Sequence, residues 1–105
     1  MTTLYVTAWH SGKWPGGTFG LRFGQLRHEL IDGKPSTIAL RLEGTPSFDA
    51  RLTNGFWKDC PEVRNRLIGE WISAQGLKLP WPIGKPPRFA ISKIGPNRFA
   101  VARAV

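Results

Sequence analysis

Residues 36–53 read STIALRLEGTPSFDARLT, and the alternation in this stretch decides the fold class. Ile38, Leu40 and Leu42 fall on one side of an extended chain, with Thr37, Ala39 and Arg41 on the other. After Gly44-Thr45-Pro46-Ser47 the pattern resumes, setting Phe48, Ala50 and Leu52 against Asp49, Arg51 and Thr53. A period of two on both sides of a short Gly/Pro connection predicts an antiparallel hairpin. Arg41 and Arg51 then share its outward face.

The same period recurs towards both ends. LYVTAW (4–9) places Leu4, Val6 and Ala8 opposite Tyr5, Thr7 and Trp9, and TFGLRF (18–23) groups Phe19, Leu21 and Phe23. HSGKWPGG (10–17) between them is a loop by its Gly and Pro content. RFAISKI (88–94) and NRFAVARAV (97–105) pair as a final hairpin across Gly95-Pro96. GQLRHELIDGK (24–34) sets Leu26 and Leu30 one helical turn apart and predicts a short helix or helical turn ending near Asp32-Gly33.

One stretch departs from this period. FWKDCPEVRNRLIGEW (56–71) predicts the principal helix, over residues 60–75. Asp59 and Glu62 have capping-box spacing and Pro61 suits a first turn. Val63, Leu67, Ile68, Trp71 and Ile72 form an apolar stripe, and Gly76 stops the helix. LKLPWPIGKPP (77–87) has four prolines and predicts an extended loop. The sum is a mainly β (α+β) single domain over residues 1–105, a small antiparallel barrel or strongly bent sheet of about six strands with one helix.

At 105 residues and 41% hydrophobic, with five Trp and six Phe, the chain can build one core without a staple. The single cysteine makes no internal disulfide, no apolar run reaches the length of a membrane span, and MTTLYVTAWHSGKW does not read as a signal peptide. These features predict a cytoplasmic protein with no membrane partner.

Charge points to a function. Fifteen Lys and Arg against seven Asp and Glu leave +8, and no acidic residue follows Glu70. A field of this sign draws polyanions. In LPWPIGKPPRF (79–89), Trp81 is stiffened between two prolines, and an exposed ring there would stack on a base. The alternative is a ring packed back over the end of the fold. Lys78, Lys85 and Arg88 would meet phosphates, together with Arg41 and Arg51. These six residues are the expected contact set for DNA or RNA. An acidic protein docked by an inhibitor or adaptor would use the same charges.

Chemistry is poorly represented. Cys60 precedes the expected helix, but Asp59 and Glu62 oppose a thiolate there. It is expected as a small buried filler beside Phe56 and Trp57. One Cys and two His lack zinc-site spacing, SGKWPGG is not a phosphate-binding Walker sequence, and no carboxylate pair suits acid–base hydrolysis. The reading is a binding module with no cofactor, metal or catalytic residue.

The run FW..CPEVR...IGEW followed by PWPIGKPPRF, within residues 56–89, resembles the core of a group of small basic bacterial and phage-associated proteins. That resemblance implies no activity or site residue. By analogy of outline alone, a basic pseudobarrel with one helix is similar to some DNA-binding barrels.

Overall fold

The computed structural model describes residues 3–13 and 16–104. Seven strands form one sheet: β1 (Leu4–Ser11), β2 (Thr18–Arg22), β3 (Thr37–Leu42), β4 (Phe48–Arg51), β5 (Glu62–Arg64), β6 (Arg88–Gly95) and β7 (Arg98–Val101). Their spatial order is β4-β3-β7-β6-β1-β2-β5. The expected hairpins are present, with Ile38 opposite Ala50 in β3–β4 and Ile91 opposite Val101 in β6–β7.

Two features depart from a purely antiparallel barrel. The ladder between β3 and β7 is parallel, aligning Leu40 with Phe99 and Leu42 with Val101. The sheet is also open. Its edge strands β4 and β5 come into contact but share no ladder, so it bends strongly without closing.

The alternation of β1 is realised as read. Val6 and Ala8 are buried, while Tyr5, Thr7 and Trp9 lie on the opposite face. Leu21, Val63, Ile38, Leu40, Phe89, Phe99 and Val101 supply the remaining strands' contribution to the core. Each such side chain contributes roughly 1.5–3 kcal/mol when fully buried.

The expected helix over residues 60–75 is shorter and starts later. Residues 62–64 are β5, and the principal helix α2 runs Arg66–Ser73. Asn65 caps it, its side chain accepting from the Leu67 N–H at 2.8 Å, so Asp59 is not the cap. The cause is tertiary. Val63 pairs with Leu21, and the Phe23 N–H donates to the Pro61 carbonyl, drawing this segment onto β2 as the seventh strand.

Ile68, Trp71 and Ile72 of α2 are buried, whereas Leu67 is 40% exposed, so the apolar stripe is narrower than its spacing suggested. α2 packs on β2 at Gly69, where an added Cβ would stand 3.3 Å from the Phe19 Cβ. The shorter helix α1 (Leu26–Leu30) confirms the helical turn after β2. From it, the buried Arg27 guanidinium donates to the Gly24 and Lys58 carbonyls, tying α1 to the segment before β5.

Cys60 is exposed. The expectation of a buried filler fails because the chain enters β5 here, not a core-facing helix turn. Phe56 is fully buried, and Trp57 packs edge-on against it at 5.0 Å. The loop from residue 77 to 87 is irregular, as its prolines require. Among the described residues, no helix is long and apolar enough to cross a membrane.

Candidate functional site

The outward face of β6, β1, β2 and β5 concentrates arginine on aromatic rings. Tyr5, Thr7 and Trp9 form the polar-side alternation of β1, and register decides what stands beside them. Thr7 lies between Arg88 on β6 and Arg22 on β2, and Arg22 is in turn opposite Glu62 on β5. In the next row, Gly20 separates Trp9 from Arg64.

The arginines bend onto the rings. The Arg88 guanidinium carbon sits 4.4 Å from the Tyr5 ring centroid, and that of Arg64 sits 4.6 Å from the Trp9 centroid. Each contact stabilises by about 0.5–1 kcal/mol at exposed sites and limits the freedom of a long side chain. Gly20 makes room for the second stack. A Cβ there would stand 2.6 Å from the Val63 carbonyl oxygen and 3.3 Å from the Trp9 ring.

Carboxylates leave much of this charge in place. Among the described residues, ion pairs go to Arg64, Arg66, Lys93 and Arg103, leaving Arg22, Arg41, Arg51 and Arg88 without one. The acid on the arginine face, Glu62, has a side chain only 6% exposed and lies 3.9 Å from Arg64.

The six residues expected from the sequence occupy separate places. Arg88 belongs to the arginine–aromatic face. Arg41 lines a groove of about 830 Å³ whose floor includes Ala90, Ser92, Ala100 and Ala102. Arg51 shares the outward face of the hairpin with Arg41, as read, but stands opposite Thr37, four residues down β3 from it. That separation is roughly 13 Å along a strand.

Lys78 and Lys85 are exposed on the proline loop. Trp81 is half-buried, edge-on to Phe19 at 6.5 Å and His10 at 6.4 Å. Its ring packs against the core, the alternative weighed for it above. Lys13 is exposed in the β1–β2 loop, while Trp14 and Pro15 lie outside the described residues.

Sequence reasoning missed Tyr5, Trp9, Arg22 and Arg64. The available signal was β1 itself, whose outward side carries two aromatics where a solvated strand face carries polar residues. Their arginine partners come from β2, β5 and β6. Among the described residues, no three His, Cys, Asp or Glu side chains come together in a metal-binding group. No protein-family model, curated protein or solved structure matches the chain.

Proposed function

We propose that this protein is a non-enzymatic nucleic-acid-binding module whose contact surface is the outward face of β6, β1, β2 and β5. The observation that carries this reading is the pairing of Arg88 with Tyr5 and Arg64 with Trp9, with Arg22 in the adjacent row. Guanidiniums beside aromatic rings present phosphate donors and stacking groups together, the two elements that hold a nucleic-acid strand. The net charge of +8 supplies long-range attraction. Lys78 and Lys85 are exposed on the proline loop, which leads directly into Arg88, and add to the positive charge.

Salt dependence tests the reading. If about four phosphates are engaged, the log–log slope of affinity against salt is about −2.8 on a single strand and about −3.6 on a duplex. Anisotropy with labelled oligonucleotides measures it. Arg22→Gln with Arg88→Gln should flatten the single-strand slope by about 1.4 and weaken binding across sequences. Absence of binding to DNA and RNA at low salt overturns the proposal. The same arginines would then serve an acidic protein partner.

A further inference from the structure

The open edges of the sheet leave a second feature beside the arginine face. Where β4 and β5 meet without a ladder, a pocket of about 320 Å³ is lined by Arg51, Thr53, Gly55, Cys60 and Arg64. Two arginines therefore reach one cavity from opposite edges. Arg51 is positioned by its register with Thr37, and Arg64 by its stack on Trp9.

No carboxylate lines this pocket. The nearest offset is Glu62, 3.9 Å from Arg64, whereas Arg51 has no ion pair among the described residues. Two arginines lining one cavity bring like charges to it, and an anion bound there offsets both. Their planar forks suit the oxygens of a phosphate, to which the Thr53 hydroxyl adds a donor.

We propose that this seam pocket is a phosphate-binding site in which Arg51 and Arg64 hold one phosphate group of the bound nucleic-acid backbone. The proposal rests on the nucleic-acid reading only for the source of the phosphate. The anion would lie between β4 and β5, the two sheet edges that share no ladder.

Cys60 provides a direct reporter. It is the chain's only cysteine, is exposed, and lines the pocket. The experiment follows its alkylation by iodoacetamide by mass spectrometry. Separate arms contain inorganic phosphate, a thymidine oligonucleotide, or sodium chloride at matched ionic strength. Each rate is expressed relative to the same variant in chloride, which removes any effect of a substitution on intrinsic thiol reactivity.

Phosphate and oligonucleotide should each slow alkylation at least threefold. Arg51→Gln should abolish the slowing, whereas Arg103→Gln, an equal charge change beside Glu43, should retain it. Slowing that persists in Arg51→Gln overturns the proposal. If anisotropy shows that the oligonucleotide binds while the Cys60 rate is unchanged, the pocket is not the site and the arginine-face reading stands. If inorganic phosphate protects but no oligonucleotide binds, the phosphate site stands and the nucleic-acid reading falls. Protection by neither, without oligonucleotide binding, overturns both.

Discussion

Arg64 lies over the ring of Trp9, 4.6 Å from its centroid, across a strand whose intervening residue is Gly20. That glycine joins the packing of the sheet to its candidate chemistry. Its φ lies outside the left-handed region, and its requirement is space: an added Cβ would meet the Val63 carbonyl oxygen of β5 and the Trp9 ring.

Gly20→Ala should therefore loosen β5 from β2. Overpacking at a well-packed position costs typically 1–3 kcal/mol, and here the obstacle is backbone, which yields poorly. Urea unfolding should show a lower midpoint, with hydrogen exchange fastest at Val63 and Arg64. A midpoint equal to wild type would mean that β5 shifts freely.

Trp71→Ala should be among the most damaging single changes. The ring is buried, packs 4.9 Å from Phe89, and its indole N–H donates to the Glu43 carbonyl at 3.0 Å, bridging α2 to the turn after β3. Truncating a buried Trp costs about 3–5 kcal/mol, a large fraction of the 5–15 kcal/mol typical of a domain. Thermal denaturation should show loss of the cooperative transition or a fall of more than 10 °C, on the order expected from these energies.

Asn65→Ala should cost about 1 kcal/mol, because the Leu67 N–H loses its acceptor. Asp59→Ala should stay within about 0.5 kcal/mol, the range of an exposed position outside a cap. Paired denaturant titrations decide where the helix begins. Equal losses at the two positions would return the cap to Asp59.

Cys60→Ser should also remain within about 0.5 kcal/mol of wild type, since the thiol is exposed and no core contact is lost. A folded wild-type protein should react with a thiol reagent without denaturant. Resistance until unfolding would place the side chain in the core instead.

The strands were legible wherever alternation and turn chemistry are local. STIALRLE and SFDARLT declare their buried sides residue by residue, and the three residues between them leave a hairpin as the simplest pairing. The principal helix was legible in its second half, because Ile68, Trp71 and Ile72 are spaced for one face. The basic charge was legible from residue types alone.

The tertiary structure decided the rest because it depends on contacts between distant segments. Val63 satisfies both a helical stripe and a strand interior, and only its ladder with Leu21 selects the strand. That choice moves the helix start to Asn65 and leaves Cys60 exposed. The parallel joining of β3 to β7 has no local signature either, since the paired segments are nearly sixty residues apart. The arginine–aromatic stacks arise in the same way: β1 supplies Tyr5 and Trp9, while β6 and β5 bring Arg88 and Arg64 to them. Local periodicity selects which side of a strand faces the core. Long-range register selects which charges and rings become neighbours on the other side.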